Sequence, residues 1–106
     1  ENYSENFPDK DALLLLLNKI ANIYQKLKFN SRSMWRSKAN FFTLFIELGN
    51  AIIDKKKINI ESLHAELAFF EESTPADYKL AAKEGVNNMQ ERELRGTYVQ
   101  RLIERS

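Results

Sequence analysis

The chain has 106 residues, of which 43% are hydrophobic and 29% are charged, and its formal net charge is +1. A chain of this length buries roughly two-thirds of its unfolded surface, which is enough for one hydrophobic core. Three glycines and two prolines leave little material for a turn-rich β architecture. The absence of cysteine excludes disulfides and thiolate zinc sites, and it favours a cytoplasmic location.

Apolar residues recur at helical spacing along the chain and predict an all-α fold, a compact bundle of about five helices. The domain is expected at residues 9–106, with residues 1–8 as a polar tail or linker. Capping signals place the helix boundaries. The first helix runs from Pro8-Asp9 to Lys28, the second from Trp35 to Asp54, the third from the N-cap Asn59, the fourth from Thr74-Pro75 to Gly85, and the fifth from the N-cap Asn88 to the end of the chain. The inner face of the second helix is expected to include Phe42, Leu48 and Ile53, and Gly49 is expected to mark a close helix contact.

Helix one starts with leucines on nearly every side. Such a helix start needs burial all round, which makes Leu13, Leu14, Leu15 and Leu17 interface candidates. Because the chain begins at Glu1 rather than at a methionine, we expect it to be the C-terminal part of a larger protein. The missing N-terminal domain is the preferred partner, and a homodimer is the alternative.

The longest apolar run, Ala12–Leu17, is far shorter than the roughly 20 residues of a membrane-spanning helix. We therefore expect no contact with a membrane.

The sequence contains few residue patterns that are typical of catalysis. His64 is the only histidine, and its spacing from Ile60 places it at the edge of the core. No glycine-rich phosphate loop and no exposed serine nucleophile is recognisable. The sequence therefore predicts no catalytic residue, no metal site and no cofactor.

Residues 12–46 carry six basic residues and no acidic one. Five of the bases, which include Lys26, cluster about the turn between helices one and two, and Tyr24, Phe29 and Trp35 lie close by in the sequence. This combination is typical of phosphate contact with base stacking. The candidates for DNA-phosphate contact are Lys28, Arg32, Arg36 and Lys38.

The alternative interpretation of the same stretch is an ordinary solvent-exposed turn. Its positive charges would then be balanced in the fold by Glu66, Glu71 and Glu72. Charge patches alone do not separate these two readings.

Arg92 and Arg95 fall within the apolar arc of helix five, so both side chains are expected to be partly buried. A buried guanidinium needs a carboxylate, helix-end carbonyls or a bound anion as its partner. Glu91, one turn before Arg95, is the nearest carboxylate. We favour a structural arginine clamp formed by Arg92, Arg95 and Glu91 over an anion site.

Two stretches, Arg36–Leu48 and Tyr78–Arg95, resemble the C-terminal helical region of the GmrSD-type family of modification-dependent restriction nucleases. In that family a basic residue precedes an Asn or Asp and a Phe-rich helix, and a Tyr…Ala…Gly segment leads into an Arg-x-x-Arg helix. The counterparts of the second motif are Tyr78, Ala81, Gly85, Arg92 and Arg95.

The resemblance covers roughly residues 30–103 and implies a ParB-like nuclease domain upstream, with an Asp-Gly-Gln-type motif that these residues do not contain. It therefore carries over no catalytic residue. The expected function is a non-catalytic accessory domain of a DNA-restriction or phage-defence protein, which supports a nuclease domain or contacts the DNA backbone. The alternative is a protein-interaction or dimerisation module that does not bind DNA.

Overall fold

A computed structural model describes residues 10–83 and 89–106, which form five α-helices, one 3-10 turn and no β-strand. This confirms the predicted all-α bundle. No helix in these two ranges is both long enough and apolar enough to cross a membrane. The helices are α1 (Lys10–Leu27), α2 (Lys38–Ile53), α3 (Ile60–Glu72), α4 (Ala76–Lys83) and α5 (Met89–Arg105), and the 3-10 turn Met34–Arg36 precedes α2.

Helix α5 packs against α2, α3 and α4, while α1 lies on α2 and α3. The core consists mainly of large apolar side chains that are withdrawn from solvent. Its fully buried members include Leu27, Trp35, Leu44, Leu48, Leu63, Leu67, Tyr78 and Val99. Burial of each such side chain stabilises the fold by about 1.5–3 kcal/mol.

Two contacts set the direction of α1 against α2. Tyr24 packs edge-on to Phe41 with ring centroids 5.0 Å apart, and a Cβ atom on Gly49 would lie 3.2 Å from Cδ1 of Ile20. Gly49 therefore marks a close helix contact, as its position in an apolar helix predicts. These contacts show that the two helices run in opposite directions. Ile20 meets Gly49 four residues before the end of α2, whereas α1 begins ten residues before Ile20. At equal rise per residue, the first turns of α1 therefore extend beyond the C-terminal end of α2.

The inner face of α2 differs from the sequence-based expectation. The pattern predicted an inner stripe that includes Phe42 and Ile53, but these side chains are 48% and 62% exposed. Leu48, which the pattern also placed on the inner face, is buried as expected, and Leu44 and Ala51 are buried beside it. An apolar stripe wider than the buried face leaves its rim exposed, and the sequence does not show which edge is the rim.

The helix ends agree with the sequence at Asn59, whose side chain accepts from the backbone N–H of Ser62 at 2.9 Å. They differ at Thr74, whose hydroxyl donates to the carbonyls of Phe70 and Glu71 and thus completes the end of α3 rather than capping α4. The predicted signals at Pro8-Asp9, Gly85 and Asn88 lie outside the described residues.

Candidate functional site

The turn between α1 and α2 presents the predicted phosphate contacts to solvent. Lys28, Arg32, Arg36 and Lys38 are all exposed. Lys28 follows the last residue of α1 in a left-handed conformation, with φ of 52°. Arg36 donates from Nη1 to the carbonyl of Phe29 at 3.4 Å.

A carboxylate on α3 fixes this turn. Oε2 of Glu71 accepts from the backbone N–H of Met34 at 2.9 Å, and Oε1 accepts from the Ser33 hydroxyl at 3.2 Å. Glu71 therefore satisfies free N–H and O–H groups at the start of the 3-10 turn. It lies beside the basic turn, as the solvent-exposed-turn interpretation expects, but its hydrogen bonds go to the backbone and to a serine.

Trp35 anchors the turn from inside. Its side chain is fully buried, and Nε1 donates to the carbonyl of Leu67 at 3.1 Å. This corrects the expectation that Trp35 helps to stack a nucleic-acid base, because a buried indole has no free face. Phe29 is half-buried between Tyr24 and His64, and His64 itself is exposed.

Arg32 lines a surface depression together with two lysines of α4. We call this feature, which encloses about 430 Å³, the basic depression. Its charged lining residues are Arg32, Lys79, Lys83 and Glu71. The sequence did not point to Lys79 and Lys83, because they lie more than forty residues after Arg32 in the chain and only the packing of α4 brings them near it.

Among its described lining residues the basic depression has three bases and one acid, Glu71, so its positive charges outnumber its negative charge. Among the described residues the ion pair is Lys56–Glu104, with 3.3 Å between Nζ and Oε2. Arg32, Lys79 and Lys83 make no such pair within the same ranges.

Arg95 is fully buried between α2, α4 and α5. Nη1 donates to the carbonyl of Ala81 at 2.7 Å, and Nε donates to Oγ1 of Thr43 at 3.1 Å. Ala81 lies in the last turn of α4, where free carbonyls and the helix dipole favour a positive charge. Helix-end carbonyls were one of the partners that the sequence predicted for this guanidinium.

The other two members of the predicted clamp are placed differently. Arg92 is exposed rather than partly buried, because its side chain faces a groove between α2 and α5. Oε1 of Glu91 is buried and has no hydrogen-bond partner among the described residues, so this oxygen accepts no hydrogen bond from Arg95. The clamp is therefore formed by Arg95 with Thr43 and Ala81.

That groove has a larger volume than the basic depression. It encloses about 670 Å³ and is lined by apolar side chains of Phe42, Ile46 and Met89 together with Glu47, Arg92 and Glu93. Gly96 forms part of its wall, and a Cβ atom there would lie 2.9 Å from Oε2 of Glu47. The missing side chain at Gly96 thus lets the Glu47 carboxylate lie against α5.

The described residues contain no group of three or more His, Asp or Glu side chains arranged to hold a metal ion. No protein-family model, curated protein or solved structure matches this chain. The resemblance to the GmrSD-type family therefore stays a hypothesis that depends on the two sequence motifs. The structure classifies the chain as an all-α helical bundle.

Proposed function

We propose that this chain is a non-catalytic accessory domain of a DNA-restriction or phage-defence protein, and that it contacts the DNA backbone through the basic depression. The observation that carries the proposal is the meeting of Arg32 with Lys79 and Lys83 around one opening. Arginine and lysine are the side chains that neutralise DNA phosphates.

The neighbouring groups suit this role. Glu71, the acid among the described residues of the depression, already accepts two hydrogen bonds from the turn. Lys28, Arg36 and Lys38 are exposed on the same connection, so they extend the positive surface beyond the depression. The burial of Trp35 favours backbone contact without base stacking, and hence binding that does not depend on sequence.

The resemblance to the restriction family supports the setting of the proposal. In that family the helical region accompanies a nuclease domain, and a sequence-independent grip on DNA would hold the duplex for such a domain. The nuclease chemistry itself belongs to residues outside this chain.

Binding of a labelled 20-base-pair duplex, followed by fluorescence anisotropy between about 50 and 200 mM salt, tests the proposal. The triple variant Arg32→Gln, Lys79→Gln, Lys83→Gln is compared with Lys19→Gln, Lys55→Gln, Lys57→Gln, which removes the same charge from exposed positions outside the depression. We expect only the first variant to lose most binding, with a log–log salt slope lower by about 2–3. Equal losses in both variants, or no binding by the parent chain at low salt, would contradict the proposal.

A protein-interaction module is the second candidate, and the exposure of the leucines on α1 favours it. Leu13, Leu14, Leu15 and Leu17 are 36–57% exposed. Scattered apolar residues are ordinary on a surface, whereas adjacent ones mark a contact site. On this reading the leucines meet another domain or another chain, and the positive charges serve solubility.

A further inference from the structure

Two features remain unexplained by DNA contact: the exposed leucines of α1 and the groove between α2 and α5. Each is an apolar surface without a partner among the described residues. The leucine side of α1 also carries Lys10, with Asp11 about 100° away around the helix, and the described groove lining carries Glu47 and Glu93 together with Arg92. The second candidate function needs a surface to which the leucines bind, and the groove is such a surface.

The exposed leucines of α1 have the spacing of the anchor residues on an amphipathic helix that binds in a groove. Lys10, Leu13, Leu14 and Leu17 have the spacing i, i+3, i+4 and i+7, and they share an arc of about 100° on the helix. An amphipathic helix that enters a groove presents its anchors at this spacing. Because the first turns of α1 extend past the end of α2, a second molecule can approach this arc.

The groove offers the complementary surface. Phe42, Ile46 and Met89 form its apolar part and are 43–67% exposed. Glu47 is half-buried in the groove, and this burial raises the pKa of its carboxyl group, although a hydrogen bond from Asn50 and the charge of Lys56 oppose the shift. Glu93 adds a second acid, and Arg92 is the one base of the lining.

A chain cannot place its own leucines in its own groove. Helix α1 lies against α2 through Ile20 and Tyr24, at Gly49 and Phe41. The leucine arc is therefore beyond the end of α2, whereas the groove follows residues 42–50 of the same helix. Contact between the two surfaces has to join different molecules.

We propose that two copies of this chain associate reciprocally, with the Lys10–Leu17 arc of each copy in the α2–α5 groove of the other. The leucines cover Phe42, Ile46 and Met89, and the Lys10 ammonium meets the Glu47 carboxylate. In this twofold dimer the leucine arc and the groove of both copies are covered, so no surface is left to bind a third copy. This inference deepens the second candidate function and is independent of DNA binding.

Charge reversal tests the pairing. Molar mass is measured by sedimentation equilibrium over a hundredfold concentration range for the parent chain, Lys10→Glu, Glu47→Lys and the double variant. We expect a dimer in the parent, a dimer dissociation constant at least about tenfold higher in each single variant, and recovery in the double variant. A parent chain that stays monomeric at every concentration overturns the proposal, and so does a double variant no tighter than the singles.

Disulfide trapping locates the contact, because the chain has no native cysteine to interfere. Leu14→Cys protein is mixed with Ile46→Cys protein under mild oxidation, and Leu80→Cys replaces Ile46→Cys in the control, since Leu80 is exposed at 58% on α4. We expect a mixed disulfide only in the first mixture. Equal trapping in both mixtures overturns the proposed geometry even if the chain is a dimer, and neither result bears on the binding of DNA.

Discussion

Nε of Arg95 donates to Oγ1 of Thr43 across 3.1 Å, and through this bond the buried guanidinium joins α5 to α2. The same side chain reaches the last turn of α4 through the carbonyl of Ala81. Thr43 in turn donates to the carbonyl of Ala39 at 2.9 Å, so its hydroxyl is both donor and acceptor. The Arg95 side chain thus links three helices, α2, α4 and α5, by hydrogen bonds.

Replacing Arg95 with methionine removes both bonds while it keeps most of the buried volume. Hydrogen bonds to a charged group contribute about 1.5–3 kcal/mol each, and part of this is offset by relief from burying the charge. We expect a free energy of unfolding lower by about 2–3 kcal/mol, measured by urea denaturation.

Arg92→Met is the matched control, since Arg92 is exposed three residues earlier on α5. Its effect is expected to stay within about 0.5 kcal/mol. A similar loss in both variants would contradict a clamp at Arg95.

Tyr78→Phe tests a second buried link. The Tyr78 hydroxyl donates to Oδ1 of Asn40 at 2.8 Å, and burial raises the pKa of Tyr78 strongly. Without the hydroxyl, Oδ1 of Asn40 is left without that donor inside the protein. We expect a loss of about 1–3 kcal/mol in urea denaturation.

Tyr98→Phe provides the comparison, because the Tyr98 hydroxyl donates to the exposed carboxylate of Asp77. Water can replace that bond, and the loss is expected to be clearly smaller. If Tyr98→Phe lowers the free energy of unfolding as much as Tyr78→Phe does, the prediction that the buried hydroxyl contributes more is wrong.

Glu71 holds the basic turn, and Glu71→Ala should therefore loosen it. The change removes the acceptors of the Met34 N–H and the Ser33 hydroxyl. We expect a free energy of unfolding lower by about 1–3 kcal/mol, with faster amide exchange at Met34. Glu72→Ala, at an exposed neighbouring position, should change neither quantity; equal effects of the two variants would count against this role.

Glu47 should make stability depend on pH in an unusual direction for an acid. Burial raises the pKa of its carboxyl group in the folded protein, so the folded state holds the proton more tightly than the unfolded state does. This contribution is fully present below the unfolded pKa of 4.5 and is lost as pH rises through the higher folded pKa.

The melting temperatures of Glu47→Gln and the parent chain, compared from about pH 4 to pH 7, isolate this effect from the other acids. We expect the parent to lose stability relative to Glu47→Gln as the pH rises over this window. A difference that stays constant with pH would refute the raised pKa. The measurement is made at a concentration below any dimer formation, so that self-association does not enter.

Several features followed from the sequence because they depend on local rules. The helical spacing of apolar residues predicted the bundle, and Asn59 predicted the start of α3 through the hydrogen bond that its own side chain makes. Glycine at position 49 indicated a close helix contact, which Ile20 provides. The burial of Arg95 followed from its place in the apolar arc of α5.

The rest required the tertiary structure. Thr74 has the right position to cap α4, but its hydroxyl lies within hydrogen-bond distance of carbonyl groups of α3 and donates to them. Arg92 and Arg95 share one arc, yet only the second faces the end of α4. The indole of Trp35 is suited to stacking on a base, but it is fully buried in the hydrophobic core.

The leucine-rich start of α1 was visible in the sequence, which determined that this helix has more apolar surface than one side of a bundle can bury. Only the fold decided which leucines stay exposed, because that depends on where α2 ends beside α1. In the same way, the sequence determined that Arg32 is part of a basic turn, and the packing of α4 decided that Lys79 and Lys83 join it. Periodicity reports which side of a helix is apolar, while the meeting of distant side chains depends on how the helices cross.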